Sequence, residues 1–344
     1  MRILIVITLC ELGGAQTVVA QLANKLSEHN EVIVAAGEGD GKMWGMMNSS
    51  IVQEHCPHLK RALSPINDFL TIIDFRKLYN KYKPDVIHLH SSKAGMLGRV
   101  AFPTSKTVYT VHGFDSIRLA YRKFLPIERF MQHSCKAIAG VSLYDEKNLL
   151  EEGINHNVST VYNGIIKPIS LSKDPFADIK GYKGKVLCIA RLSPPKNSDL
   201  FLKVAALLPD YAFIWIGNQH EVTEKLTSNV YFKGNLPNAG AYNEYADLFI
   251  LPSNYEGLPM VIIEAMSFGN PVVASNVGGI SEIVRNDING FVLENEPSLF
   301  AEKIDFILKN PNIRKDFSNN AIRIFQNELT VEKMADAYME IYKM

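Results

Sequence analysis

The sequence predicts an α/β protein built of two doubly wound, Rossmann-like domains, and three observations predict it. Short apolar runs alternate with helical patterns along the whole chain, which indicates parallel strands buried on both faces and joined by helical crossovers. At 344 residues the chain is too long for one ordinary core, so two domains are expected. A stretch rich in Gly, Pro, Ser and Lys, NGIIKPISLSKDPFADIKGYKG (163–184), divides an earlier series of runs from a later one and has linker composition.

The first series opens with RILIVIT (2–8), an apolar run of strand length. The helical pattern AQTVVAQLANKLSEH (15–29) follows it, then the strand EVIVAA (31–36) and the helix FLTIIDFRKLYNKY (69–82). DVIHLH (85–90), TVYTVH (107–112) and AIAGVS (137–142) complete the first sheet. The second series comprises KVLCIA (185–190), AFIWIG (212–217), VYFKG (230–234), LFILP (248–252), PVVAS (271–275) and GFVLE (290–294). The final pattern, VEKMADAYMEIYKM, is an amphipathic helix that must dock on something. The expected organisation is therefore a domain over 1–165, a second over 166–325, and a terminal helical segment over 326–344 that packs back toward the first domain. Ligands of open α/β sheets bind outside the carboxyl ends of the strands, so two such sheets are expected to face each other across a cleft.

Composition narrows the function. Lys plus Arg equals Asp plus Glu, 36 each, so no global field attracts nucleic acid, and none is expected as a partner. Cys10, Cys56, Cys135 and Cys188 form no C-x-x-C pair, which argues against a zinc ribbon or a disulfide framework and fits a reducing cytoplasm. MRILIVITLC superficially resembles a signal peptide, but no small-residue cleavage site follows it, and it reads better as a buried strand and its turn. No stretch approaches the roughly 20 apolar residues of a membrane span.

The chemistry should lie at the corners after the strands. In LGGAQTVVAQLA (12–23), Gly13 and Gly14 let a ligand approach the backbone at a helix N-terminus; a plain tight turn is the competing reading. The turn is not G-x-G-x-x-G, so the dinucleotide fingerprint is missing. His112 and Gly113 stand just past a buried strand, where a structural histidine is the competing reading. His88 and His90 share one strand at period two without a carboxylate or cysteine partner nearby, and read as structural.

In CIARLSPPKNSDLFLKVA (188–205), Pro194 and Pro195 stiffen a loop presenting Arg191 and Lys196 before Asn197 or Ser198 caps a helix. A guanidinium fork and an ammonium together suit phosphate oxygens, against the alternative of two solvated surface cations. In NYEGLPMVIIEAMSFGNPVVAS (254–275), Pro259 suits a helix start, and Gly257 and Leu258 leave amides there for an anion. Glu264 stands among the apolar Val261, Ile262, Ala265 and Phe268. A carboxylate there needs donors, which a ribose diol supplies, while Glu256 would point to a sugar beyond the phosphates. A capping Glu256 and an internally paired Glu264 form the competing reading.

Glu256 and Glu264, seven residues apart, resemble the E-x7-E signature of the retaining glycosyltransferases of family four, which have the GT-B fold. The resemblance extends over nearly the whole chain through the Gly13-Gly14 turn, TVHGF, NGI (163–165), the Arg191 to Lys196 loop and GGISEIVRNDINGFVL (278–293). ARL stands where GRL is commoner, and PPKN where the family usually has x-K-G. The resemblance implies transfer of a sugar from a nucleotide sugar with its anomeric configuration kept. It makes Arg191 and Lys196 the diphosphate clamp and Glu264 the ribose ligand. Glu256 and the amides of Gly257, Leu258, Pro259 and Met260 would then surround the donor sugar, with the proline supplying only its position in the turn. Gly13 and Gly14 would approach phosphates and acceptor, His112 would hydrogen-bond the transferred sugar, and Asn163 and Gly164 would lie beside a hinge. Leu236, in KGNLP (233–237), is the candidate for facing the base, with UDP favoured on family frequency. The chain has no D-x-D, so neither a bridging metal nor a cofactor is expected, and the two cations take that role. The family's favoured course is front-face substitution, in which the leaving phosphate helps deprotonate the acceptor hydroxyl.

Residues 114–136 carry Arg118, Arg122, Lys123, Arg129 and Lys136 among apolar side chains. They read either as a basic amphipathic face for an anionic membrane or as an ordinary solvated helix. The expectation is a cytoplasmic enzyme, peripheral on the inner membrane face if the first reading holds, acting on a saccharide or polyprenyl-diphosphate-linked acceptor in surface-polysaccharide assembly. A UDP-N-acetylglucosamine 2-epimerase-like enzyme would share the fold but bring further acid and base carboxylates. A nicotinamide dehydrogenase would need the missing glycine fingerprint. A non-catalytic nucleotide-sugar-binding protein would bind without turnover.

Overall fold

The computed structural model describes residues 1–220, 222 and 227–344. The chain divides into two compact units, residues 1–164 with 331–344, and residues 165–330. In the first, β1 (Arg2–Ile7), β2 (Glu31–Ala36), β3 (Val52–His55), β4 (Val86–His90), β5 (Thr107–Val111), β6 (Ala137–Gly140) and β7 (Val158–Thr160) form one sheet of order β3-β2-β1-β4-β5-β6-β7. Every pairing in it is parallel. The crossovers carry α1 (Gly14–Leu26), α2 (Pro65–Tyr82), α3 (Ser92–Ala101), α4 (Leu125–Met131) and α5 (Leu143–Glu151). The strand order reverses between β1 and β4, so the crevice expected to take a ligand opens at the carboxyl ends of these two strands.

The second unit repeats this logic. Its parallel sheet has the order β10-β9-β8-β11-β12-β13. The strands are β8 (Lys185–Ile189), β9 (Ala212–Ile216), β10 (Val230–Phe232), β11 (Leu248–Leu251), β12 (Val272–Ser275) and β13 (Gly290–Leu293). Helices α6 (Ser198–Leu207), α7 (Met260–Ser267), α8 (Ile280–Ile283), α9 (Pro297–Lys309) and α10 (Pro311–Glu328) accompany them. Its reversal lies between β8 and β11. The chain then returns to the first unit with α11 (Val331–Lys343), which packs on α1 and buries Val331, Met334, Ala335, Tyr338, Ile341 and Tyr342.

Burial explains the strands. β4, β5, β6, β9, β11 and β12 are buried at every position, so their side chains can be apolar throughout. The strands furthest from this pattern are β3, which reads VQEH and has no buried position, and β7, a half-buried VST at the sheet edge.

Three expectations need correction. The stretch 165–184 is no free linker: it forms no strand or helix, but Phe176 and Ile179 are buried and Tyr245 donates to the Leu171 carbonyl at 3.0 Å. The terminal helix starts at Val331 rather than near 326, because α10 runs on to Glu328. Residues 114–136 do not form one amphipathic helix. A π-helical turn (Ser116–Ala120), a 3₁₀ turn (Arg122–Phe124) and the short α4 succeed one another, since Pro126 lacks an N–H and tolerates only a helix's first turn.

Candidate functional site

In the second unit the loops leaving β8 and β11 are stitched together. The Asn254 N–H donates to the Pro195 carbonyl at 2.8 Å, and its side-chain amide to the Pro194 carbonyl at 3.0 Å. Asn197 donates to the Asn254 side-chain oxygen at 3.1 Å. Asn197 adopts a left-handed conformation (φ 47°) and caps α6 by accepting from the Leu200 N–H at 3.3 Å, a position asparagine tolerates well.

This stitching sets the Lys196 ammonium on the Glu256 carboxylate as an ion pair. Ser253 also donates to Glu256 Oε1, at 2.7 Å. With its side chain only 10% exposed, Glu256 needs both donors, because a buried charge is costly unless paired. The loop after β12 lies on the same corner: Gly279 N–H donates to the Gly257 carbonyl at 2.9 Å. Gly278 sits at φ 58°, and a Cβ there would come within 2.1 Å of the Glu256 carbonyl oxygen, so only glycine fits.

Helix α7 begins at Met260, with Pro259 just ahead of it. The amides of Gly257, Met260 and Val261 hold no hydrogen bond among the described residues, which leaves donors at a helix N-terminus. The Leu258 and Met260 side chains are buried beneath them. Glu264 is half-buried one turn further on, and its carboxylate has no partner among the described residues. Burial pushes its pKa up to about 7. Arg191, at the end of β8, is exposed and makes no hydrogen bond or ion pair among the described residues. Leu236 is half-buried in the loop after β10, two strands away from β8. Neither competing reading of the two glutamates describes this corner: Glu256 holds Lys196 rather than capping a helix, and Glu264 is not internally paired.

In the first unit, Gly13 and Gly14 open α1 directly after β1. A Cβ at Gly14 would meet open space, and one at Gly13 only the Gln16 side chain, so the unit's own packing does not demand either glycine. The first-turn amides of Gly14, Ala15 and Gln16 hold no hydrogen bond among the described residues. His112, one residue past β5, is half-buried and takes His90 as its partner, Nε2 to Nδ1 at 2.8 Å. Burial lowers the His112 pKa to about 4. His88 is wholly buried, with Tyr342 Oη at 2.6 Å from Nδ1 and Thr110 Oγ1 at 2.7 Å from Nε2. Both its nitrogens are thus occupied, which excludes a metal pair with His90. Among the described residues no group of three or more His, Cys, Asp or Glu is placed to hold a metal ion.

Four of the five basic residues of 114–136 have hydrogen-bonding or ion-pair partners nearby. Arg118 pairs with Asp115 at 2.8 Å, while Arg122 and Arg129 share Glu152 at 2.9 and 2.8 Å. Lys136 donates to the Tyr342 carbonyl. The four cysteines are free and buried, and no described helix is long and apolar enough to cross a membrane. Sequence reasoning missed Asn254 and Ser253, which position the Lys196–Glu256 pair, and it set His90 aside; nothing in their spacing separates them from ordinary loop and core residues.

The family described as Glycosyltransferase Family 4 matches residues 12–166, and that described as Glycosyl transferases group 1 matches residues 173–324. The O-antigen biosynthesis glycosyltransferase WbnH of Escherichia coli is 30% identical over 349 residues, covering 98% of this chain and 97% of that protein. The UDP-Gal:alpha-D-GlcNAc-diphosphoundecaprenol alpha-1,3-galactosyltransferase of Escherichia coli is 27% identical, covering 96% and 94%. Among solved structures, Anabaena HepE in complex with UDP and glucose superposes with a TM-score of 0.83 at 19% identity, covering 99% of each chain. The fold is that of the GT-B glycosyltransferases, and the chain belongs to glycosyltransferase family 4, among the transferases of bacterial surface-polysaccharide synthesis.

Proposed function

We propose that this transferase moves a hexose from a UDP-sugar to a saccharide carried on polyprenyl diphosphate, retaining the anomeric configuration and without a bridging metal. The observation that carries the reading is the corner where the β8 and β11 loops join Lys196 to Glu256 at the reversal of the second sheet, with Arg191 in the same loop after β8. As the anomeric carbon–oxygen bond breaks, negative charge gathers on the diphosphate, and Arg191, Lys196 and the amides of Gly257 and Met260 offer it positive counterparts. The acceptor oxygen bonds the anomeric carbon on the face the diphosphate leaves, and its proton passes to a leaving-group phosphate oxygen. Glu264, whose carboxylate has no donor among the described residues, takes the two ribose hydroxyls. Glu256 faces the donor sugar while holding Lys196, and Leu236 borders the base. In the first unit, Gly13, Gly14 and the neutral His112 serve phosphates, acceptor and transferred sugar.

Two relatives support the choice of substrates. The named donor and acceptor of the galactosyltransferase are UDP-Gal and a GlcNAc-diphosphoundecaprenol, and the HepE complex holds UDP and glucose. A lipid-bearing acceptor also suits the exposed Leu119, Tyr121, Ile127 and Phe130, apolar side chains that a lipid would take out of water.

The test is incubation with UDP-, GDP- and ADP-sugars, with and without a polyprenyl-diphosphate-linked saccharide, followed by NMR of the product. UDP release that requires the acceptor and persists in EDTA, with an α-linked product from an α-configured donor, is the expected result. Inversion at C2 of UDP-N-acetylglucosamine would establish the epimerase instead. Binding without turnover would leave only a nucleotide-sugar-binding protein.

A further inference from the structure

His90 is fully buried at the end of β4, and among the described residues its Nε2 has no hydrogen-bond partner. Its Nδ1 meets His112 Nε2 at 2.8 Å across the register pair His90–Thr110. Two residues earlier on the same strand face, the His88 ring lies 4.0 Å from the His90 ring, centroid to centroid. Tyr342 and Thr110 fix His88 through both its nitrogens, and Tyr338 reaches Thr110 Oγ1 at 2.9 Å. Burial holds His88, His90 and His112 well below the ordinary histidine pKa, so all three imidazoles are neutral near pH 7. Each then owns one N–H and one lone pair.

We infer that His90 is a positioning residue that donates its Nδ1 proton to His112 and thereby fixes His112 as the tautomer carrying hydrogen on Nδ1. Only one proton lies between the two rings. Were His112 the donor, the His90 proton would sit on Nε2, a buried N–H with no acceptor. Orphaned buried N–H groups are rarer in folded proteins than under-satisfied acceptors. With His90 as donor, the unpartnered atom is a bare lone pair. His112 Nδ1, which has no hydrogen bond among the described residues, then presents a neutral N–H. A ring's tautomer is set by the bond its other nitrogen makes, so the unit offers a hydroxyl group a donor without a charge. That this donor meets the transferred sugar rests on the function proposed above; the tautomer itself does not.

Two-bond ¹⁵N–¹H correlation spectra of the free protein near pH 7 read the tautomer directly. The expected pattern for His112 is a protonated Nδ1 and a bare Nε2. An Nε2–H tautomer or an imidazolium would overturn the inference, whatever the enzyme transfers. Two variants add a functional readout. His90→Leu removes the donor and should free His112 to interconvert between tautomers, lowering kcat/KM for transfer about tenfold, the scale of one hydrogen bond. His90→Asn places an amide donor where Nδ1 stood and should restore both the tautomer and most of the rate. Equal losses in both variants with the His112 tautomer unchanged would assign His90 to packing alone.

Discussion

In the first unit three histidines on β4 and just past β5 are neutral, whereas the corner after β8 and β11 in the second is built on charged side chains. His88, His90 and His112 are kept uncharged by burial, and each takes a hydroxyl or another imidazole as its partner. In the second unit Lys196 and Glu256 form an ion pair, Arg191 is exposed, and Glu264 titrates near neutrality. One fold, used twice, thus supplies two kinds of surface. The neutral histidines suit hydroxyl groups, where hydrogen bonds give orientation at little desolvation cost. The charged corner suits a diphosphate. The two should also respond to pH with opposite sign, and that contrast can be broken or sharpened by experiment.

Acid should have the largest effect. A histidine whose folded pKa lies below its unfolded value of about 6.5 is neutral in the native state while the unfolded chain binds the proton. The stability is therefore full above pH 6.5 and lost as pH falls toward the folded values, about 4 for His112 and about 3 for His88. By pH 4 the loss should be on the order of 3 kcal/mol for each of these two. Urea unfolding followed by circular dichroism between pH 7 and 4 checks this, and His88→Gln should flatten the slope. A stability unchanged down to pH 4 would mean that these rings are not held neutral.

Next comes the clamp. Lys196→Ala should lower kcat at least ~100-fold, the scale of one lost transition-state donor, and should lower the thermal melt as well, because Glu256 loses its cationic partner. Its removal leaves Glu256 with Ser253 alone, so some loss of nucleotide-sugar affinity should accompany the rate. Steady-state kinetics with the donor found in the panel above measures both, and near-normal turnover would remove the lysine from the diphosphate role.

Glu264 should act more weakly, and with the sign reversed. Its folded pKa of about 7 exceeds its unfolded value, so its contribution to stability is fullest below about pH 4.5 and is lost as pH rises through 7. Glu264→Gln should therefore stabilise the protein at pH 8 by on the order of 1–2 kcal/mol and leave pH 4.5 nearly unchanged. The same variant should weaken UDP-sugar binding roughly tenfold at pH 8, since a neutral amide is a poorer acceptor for the ribose hydroxyls than a carboxylate. Calorimetry at two pH values checks both. Stabilisation without loss of affinity would make Glu264 a strained carboxylate with no ligand.

The legible parts of the molecule were those where one residue type answers one local demand. Strands buried on both faces are mostly apolar, so β1, β2, β4, β5 and β8 stand out in the sequence. VQEH in β3 does not, because an edge strand owes its place to pairing with β2 rather than to burial. At the candidate site, Arg191, Lys196 and Glu256 are visible because charges just past apolar strands need a reason, and Glu264 because it stands inside a largely apolar helix. Asn254 is invisible for the opposite reason: asparagine in a loop is ordinary, and only the three-dimensional path of the Pro194–Pro195 backbone turns it into a stitch. His90 was set aside for want of an acidic neighbour, a test suited to metal ligands. A histidine that acts through another histidine has no signature in spacing.

The smallest effect concerns the surface of the first unit, where the contrast between neutral and charged groups meets its hardest case. The five cations of 114–136 suggest an anionic membrane, yet Arg118, Arg122 and Arg129 are each paired with a carboxylate. Glu152 is shared by Arg122 and Arg129, so these arginines are partly neutralised by protein before any lipid headgroup reaches them, and exposed ion pairs of this kind contribute little to stability. The apolar side chains of the same stretch have no such partners, and Phe130 is 85% exposed. Membrane binding, if it rests here, should come from inserting apolar rings rather than from neutralising charge. Phe130→Ser should then lower sedimentation with anionic vesicles by up to about tenfold, whereas Arg122→Ala should change it less than threefold, with little dependence on salt. The reverse ranking, with steep salt dependence, would show that Glu152 releases its arginines to the lipid and that the first unit carries a usable charge after all.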